Sequence, residues 1–261
     1  MERKRVTPSP DSFPPSLRPL LEGAALYDSS CSPQARVWFV DRDGGYYLKR
    51  SPKGTLYREA AMTRYFHQLG LAAQVLKYLS DEEDWLLTER VPGEDCTDSL
   101  YLEDPRRLCD VMAACLYHLH HLPTKDCPVP NRTADYLATA RRNHAAGVWD
   151  CTLFPVGWGY ATPQEAWHMV ETHSDSLAAD TLIHGDFCLP NIILDRWRFS
   201  GFIDLDGAGV GDRHVDLFWG AWTLVYNLKT DKYCDRFLDA YGREYIDADR
   251  LRVVAAAEVF G

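Results

Sequence analysis

The spacing of apolar positions changes character once along this chain. Up to about residue 91 the apolar residues come in short runs rich in β-branched and aromatic side chains, separated by polar turns. Beyond it they recur every three or four positions. "ARVWFV" and "YYLKR" flank Asp41-Arg42-Asp43-Gly44-Gly45, a hairpin signal, and predict an antiparallel pair. "VLKYL" and "WLLTER", on either side of Ser80-Asp81-Glu82-Glu83-Asp84, predict two further strands. Between the two pairs Met62, Tyr65, Phe66 and Leu69 keep helical spacing, and Gly70 supplies a stop. Residues 1–91 are thus expected to form a small lobe of four or five strands and one helix, behind a Pro/Ser-rich start.

Pro92-Gly93 breaks the pattern, and residues 92–261 are expected to form a second, mainly helical lobe. Leu108, Val111, Met112, Cys115, Leu116 and Leu119 share one face of a helix predicted over 105–122, with Pro105 near its start. Further helices are predicted at about 133–146, 163–178, 213–228, 231–242 and 249–260, with Asn131 placed to cap the first. Residues 183–206, "IHGDFCLPNIILDRWRFSGFIDLD", do not fit that rhythm. Their apolar pieces, Ile192-Ile193-Leu194 and Gly201-Phe202-Ile203, are too short for helices and predict a hairpin flanked by two carboxylates.

Composition narrows the possible functions. In 261 residues, 46% hydrophobic content supports a packed core rather than disorder. A formal net charge of −10 repels polyanions, so nucleic acid is not an expected partner. No apolar run approaches a membrane span, and Met1-Glu2-Arg3-Lys4-Arg5 is followed by no apolar signal core. The expected location is the cytoplasm, with no membrane partner. Eight cysteines without a C-x-x-C pair read as reduced thiols. Cys188 reads as small filler, and His118, His120 and His121 as helix-end histidines that favour the C-terminal dipole.

Phosphoryl transfer from a nucleotide needs a carboxylate to receive the acceptor's proton and an amide and a second carboxylate to hold metal. Asp186, Asn191 and Asp204 supply these three groups in the 183–206 stretch. The Asp-x4-Asn interval is that of the protein-kinase catalytic loop, with His184-Gly185-Asp186 in place of His-Arg-Asp and Ile203-Asp204-Leu205 in place of Asp-Phe-Gly. A strand lysine and a helical glutamate complete such a site, and "YYLKR" and "YREAAM" offer Lys49 and Glu59 in the right chain order.

"HGDFCLPN", "GFIDLDGAG" and "DRHVDL" together make the chain resemble the aminoglycoside 3′-phosphotransferase family, over essentially its whole length. The resemblance implies an α+β, two-lobe protein-kinase-like fold that uses ATP and Mg²⁺ to phosphorylate a hydroxyl of a small molecule. It further implies that Asp186 is the catalytic base, that Lys49 binds the α- and β-phosphates with Glu59 as its partner, and that Asn191 and Asp204 hold Mg²⁺. Tyr47 would stack on adenine, the backbone from Glu89 to Val91 would bind its edge, and Ser32 would belong to the nucleotide-positioning loop.

On the acceptor side the resemblance implies Asp150, Asp206, Glu258 and Phe260, but the residues depart from the family's acidic pattern. The loop before the catalytic stretch is rich in Trp149, Leu153, Phe154, Trp158 and Tyr160 and poor in acids. Asp206-Gly207 stands where the family has Gly-Arg, and "WGAWTLVYNLK" carries aromatics where the family has an arginine and an acidic pair. Three functions follow as expectations: a kinase for an aminoglycoside antibiotic, a kinase for a less cationic and more apolar alcohol, or a silent kinase-like binding protein.

Overall fold

A computed structural model of the chain describes residues 4–31, 35–152 and 159–261. By its contacts the chain divides into two compact units, Met1–Pro92 with Gly201–Asp206, and Gly93–Ser200 with Gly207–Gly261. The return of Gly201–Asp206 to the first unit is a feature that a single boundary after residue 91 leaves out.

The first unit is built on strands β1 (Lys4–Val6), β2 (Ala25–Asp28), β3 (Arg36–Asp41), β4 (Tyr46–Pro52), β5 (Val75–Ser80) and β6 (Glu83–Glu89), with helices α1 (Arg18–Leu21) and α2 (Tyr57–Gln68). They form one six-stranded sheet in the order β1-β2-β3-β4-β6-β5. The expected four or five strands become six because the Pro/Ser-rich start is itself structural. Lys4 to Val6 pair with Leu26 to Asp28, and Phe13, Leu17 and Leu21, spaced by four, bury themselves against the sheet.

Side chains alternate across a strand, so the two faces of β3, β4 and β6 carry different residues. One face holds Trp38, Val40, Leu48, Trp85 and Leu87, with Trp38 and Trp85 stacked at 6.0 Å and Phe13 edge-on to both. Tyr47 and Lys49 fall on the other face. Lys49 is in register with Val37 on β3 and Leu86 on β6, and Leu86 packs against Leu56 and Ala60 at the start of α2. Helical period puts Glu59, Met62, Thr63 and Phe66 together on the buried side of α2.

The second unit contains strand β7 (Glu94–Asp95), helices α3 (Ser99–Leu102), α4 (Pro105–His120), α5 (Arg132–Ala145) and α6 (Pro163–His173), strands β8 (Thr181–Ile183), β9 (Ile192–Asp195), β10 (Arg198–Phe202) and β11 (Gly209–Gly211), and helices α7 (Arg213–Leu228), α8 (Cys234–Tyr241) and α9 (Ala248–Glu258). The expected hairpin is β9 and β10, joined through Arg196 and Trp197, both at positive φ. Strand β10 ends in Phe202, whose N–H donates to Leu71 O at 2.7 Å, and this bond stitches Gly201–Asp206 into the first unit. Helices start where sequence chemistry provides caps: Asn131 accepts from Ala134 N, Thr162 from Glu165 N, and Asp212 from His214 N. The core of this unit joins α5, α6, α7 and α9 through Leu137, Ala166, Val170, Phe218, Val254 and Phe260. Among the described residues no helix is long and apolar enough to cross a membrane.

Candidate active site

In the second unit the loop His184–Asn191 links β8 to β9, and two buried side chains of α7 hold its backbone: Thr223 Oγ1 accepts from Leu189 N at 3.1 Å, and Asp216 holds the start. Asp216, fully buried on α7, accepts from His184 N and from Gly185 N, both at 2.7 Å. His120 Nε2 lies 3.1 Å from the same carboxylate, and its Nδ1 lies 2.8 Å from Tyr241 Oη. A buried charge needs such partners. His120 is therefore a buried network member rather than a helix-end charge, and burial lowers its pKa despite the Asp216 contact.

Gly185 sits at φ +80, and a Cβ placed there would lie 1.9 Å from Gly207 O. Two backbones meet at this point, so the arginine of a His-Arg-Asp motif has no equivalent. Gly207 O also accepts from Arg132 Nε at 2.9 Å. Beyond Gly185, the half-exposed Asp186 is oriented by Asn191, whose Nδ2 donates to Asp186 Oδ2 at 2.8 Å and to Asp186 O at 3.0 Å. Cys188 is buried, and burial together with the neighbouring Asp186 pushes its thiol pKa far up, so it is no nucleophile.

Asp186 lines a cavity of about 190 Å³ with Arg132, Tyr136, Thr139, Trp219 and Glu258. Glu258 Oε1 accepts from Tyr136 Oη and from Trp219 Nε1, both at 2.9 Å. Burial raises the Glu258 carboxyl to about 7; the Tyr136 and Trp219 bonds oppose this, nearby Asp186 adds to it, and Arg132 offsets part. A larger cavity of about 580 Å³ in this unit is walled by Asp180, Asp212, Arg213 and Asp247, and Asp186 is not among its lining residues.

In the first unit Lys49 Nζ lies 2.8 Å from Glu59 Oε2 and 2.7 Å from Asp204 Oδ1. Burial works against a charged lysine, but the two carboxylates outweigh it and hold the ammonium's pKa above its ordinary value. One ammonium does not neutralise two acids: burial pushes Glu59 up, Lys49 pulls it back only in part, and Asp204 and Asp206 add to the rise. Asp204 adopts φ +61, a left-handed conformation that few side chains accept, and its side chain is exposed. Strain of this kind tends to persist where function needs it.

The remaining expected residues are spread more widely. Tyr47 shares the Lys49 face and packs its ring on Phe39 at 5.4 Å. Glu89 is exposed and Val91 buried; the Glu89 N–H is used by Gln74 O and the Arg90 N–H by Gly45 O. Ser32 lies outside the described residues, as do Leu153, Phe154 and Trp158 of the aromatic loop. Two acceptor expectations in the second unit, Asp150 and Phe260, are not among the lining residues of the cavity beside Asp186. Asp206 is ion-paired with Arg58 in the first unit at 2.6 Å. Asp150 turns onto its own loop, accepting from Thr152 N and Oγ1. Phe260 is 1% exposed and packs edge-on to His144 and Trp167 in the core.

Arg58, Arg132, Tyr136 and Asp216 were not singled out by sequence reasoning. Asp216 alone left a trace, as an acid inside the apolar run "VDLFWGAW".

The lysine–glutamate pair, the exposed aspartate at positive φ and the Asp-x4-Asn loop are each of a kind that phosphoryl transfer from a nucleotide uses. The chain belongs to the phosphotransferase enzyme family, whose model matches residues 28–254. It is 49% identical over 253 residues, 96% of each chain, to a protein of Lactococcus lactis subsp. lactis described as a probable aminoglycoside 3′-phosphotransferase. An aminoglycoside 3′-phosphotransferase of Streptomyces fradiae is 30% identical over 214 residues, 77% of this chain and 79% of its own. Among solved structures, a type VIII aminoglycoside 3′-phosphotransferase superposes with a TM-score of 0.75 at 25% identity, covering 94% of this chain and 97% of that one. The Streptomyces rimosus enzyme APH(3″)-Id, solved with ADP and streptomycin, shares the fold at a TM-score of 0.71 and 24% identity, covering 86% and 90%.

Proposed function

We propose that this protein transfers the γ-phosphoryl group of ATP to a hydroxyl of an aminoglycoside, the 3′-hydroxyl by analogy with its relatives. The observation that carries this is the placement of Asp186: its carboxylate is oriented by Asn191 and lines a cavity that also presents Glu258. An acceptor ring there meets a base for its hydroxyl and a second carboxylate for an ammonium group. Positioning and charge neutralisation are what phosphoryl transfer asks of a protein.

Lys49 would bind the α- and β-phosphates, with Glu59 holding its ammonium in place. Asp186 would accept the proton of the acceptor hydroxyl as the oxygen attacks phosphorus. Tyr47, on the Lys49 face, would pack against the adenine, with Glu89 to Val91 and Ser32 completing the nucleotide side. The oxygen donors of Asp204 and Asn191 fit Mg²⁺. Asp204 offers an exposed carboxylate with Lys49 on only one oxygen, and Asn191 spends its amide nitrogen on Asp186, which leaves the amide oxygen for a cation. Among the described residues no group of three or more His, Cys, Asp or Glu is placed to hold a metal, and Mg²⁺ commonly takes few protein ligands and completes its shell with phosphate and water. When bound, Mg²⁺ would neutralise charge on the β- and γ-phosphate oxygens.

An ADP-release assay with Mg-ATP and kanamycin tests the assignment. Asp186→Ala should lower kcat by about 10² to 10⁴ while leaving ATP affinity within a few-fold. An acceptor lacking the 3′-hydroxyl should not be turned over. Undiminished turnover by Asp186→Ala would refute the role given to that residue.

A further inference from the structure

Asp204 turns at φ +61, and within the first unit the backbone is fastened on both sides of that turn. Before it, the Phe202 N–H donates to Leu71 O at 2.7 Å. After it, the anchor is a side chain. Arg58 Nε donates to Asp206 O at 2.6 Å, and the same guanidinium reaches the Asp206 carboxylate, Nη2 to Oδ2 at 2.6 Å and Nε to Oδ1 at 3.2 Å. A forked guanidinium fixes geometry as well as charge.

Arg58 stands beside Glu59 in the first turn of α2. Glu59 reaches Asp204 through Lys49, whose Nζ lies 2.8 Å from Glu59 Oε2 and 2.7 Å from Asp204 Oδ1. Two neighbouring residues of α2 therefore hold the 204–206 segment at two points: Glu59, by way of the lysine, at the Asp204 carboxylate, and Arg58 at Asp206. An ordinary surface ion pair would need only the Asp206 carboxylate. The additional bond to the Asp206 carbonyl constrains the main chain two positions beyond Asp204, where a left-handed conformation has to be maintained against its cost.

We infer that Arg58 is a positioning residue for Asp204: by clamping Asp206 it keeps the Asp204 carboxylate in the orientation that receives Mg²⁺ with the nucleotide. The inference rests on the phosphoryl-transfer reading above. It also gives Asp206, which the resemblance assigned to the acceptor, a use within the first unit.

The test reads nucleotide binding with no acceptor present, from the fluorescence of N-methylanthraniloyl-AMP-PNP on the purified full chain across a MgCl₂ titration. Arg58→Lys keeps the charge and loses the fork; it should raise the MgCl₂ concentration for half-maximal binding about tenfold, with affinity in EDTA within about twofold of wild type. Asp206→Ala leaves the Arg58 bond to the Asp206 carbonyl and should raise that concentration less, about threefold. Because both variants break one clamp, the Arg58→Lys/Asp206→Ala double variant should fall short of the product of the two single effects. A wild-type magnesium requirement in Arg58→Lys would overturn the inference, even if urea unfolding showed lost stability, since the pair would then be a structural tie only. Equal losses of affinity with Mg²⁺ and in EDTA would overturn it as well, and so would single effects that multiply in the double variant. Failure of the aminoglycoside assignment would appear separately, as a wild type that binds the nucleotide but turns over no aminoglycoside. A wild type that bound no nucleotide would overturn the phosphoryl-transfer reading and the role of Arg58 together.

Discussion

Glu258→Gln removes a buried proton-binding group from the cavity beside Asp186 and keeps its shape. In the folded chain the carboxyl holds its proton up to about pH 7, against 4.5 for an ordinary glutamate. Between these two values the native state binds a proton that the unfolded state releases, so stability falls as pH rises through that window. Below about pH 4.5 both states are protonated and the contribution is fully present; above about pH 7 both are ionised and it is lost. At 1.36 kcal/mol per pH unit, the gap sets an upper bound of about 3 kcal/mol. Urea unfolding of wild type and Glu258→Gln at about pH 5 and about pH 8 measures it, because glutamine does not titrate. Wild type should lose stability relative to the variant between these pH values, by an amount approaching that bound. An acceptor ammonium favours the carboxylate form, so the affinity ratio of wild type to variant for kanamycin should rise over the same interval. Parallel stability curves with a constant offset would refute the reasoning, and would mean that Glu258 is ionised throughout.

Three further outcomes follow from contacts within each unit. Gly185→Ala puts a Cβ against Gly207 O at a positive φ, and should lower kcat at least tenfold and stability by about 1–3 kcal/mol or more, read by turnover and urea unfolding. Asp216→Ala strips the His184 and Gly185 N–H groups and His120 of their shared acceptor in a fully buried place; it should cost about 3–5 kcal/mol and most of the turnover. Lys49→Met leaves Glu59 buried beside Asp204 without a cation. The ATP KM should rise, and about 2 kcal/mol of stability should be lost above the carboxylate range, less at low pH where Glu59 takes up a proton.

The elements that carry Tyr47, Lys49, Glu59 and the Asp-x4-Asn pair were legible because their signals are local. Alternation within "YYLKR" places Tyr47 and Lys49 on one sheet face, helical period places Glu59 on the buried side of α2, and Asp-x4-Asn lies within a single loop. Contacts between distant segments leave no such periodic mark. The Asp216 bonds to the catalytic loop span more than 30 positions, and the Arg58–Asp206 pair spans 148. An acid in an apolar helical run says that a partner must exist, not which one. The N-terminal strands were hidden for another reason. A three-residue strand among prolines carries no countable alternation, although the four-residue spacing of Phe13, Leu17 and Leu21 was present to be read.

Within the second unit the structure separates residues that the resemblance groups. The resemblance implied both Glu258 and Phe260, but side chains share a helix face only at spacings of three or four, and α9 ends at Glu258. Glu258 accordingly faces the cavity with Asp186, and Phe260 packs under Trp167 in the core. The same rule run forward gathers Trp219, Trp222 and Tyr226, spaced by three and four, on one face. Trp219, on that face, lines the cavity and donates from Nε1 to Glu258 Oε1. In Glu258→Gln the part of the pH dependence of kanamycin affinity that comes from this carboxyl should be gone, so the ratio of wild-type to variant affinity should change between about pH 5 and about pH 8.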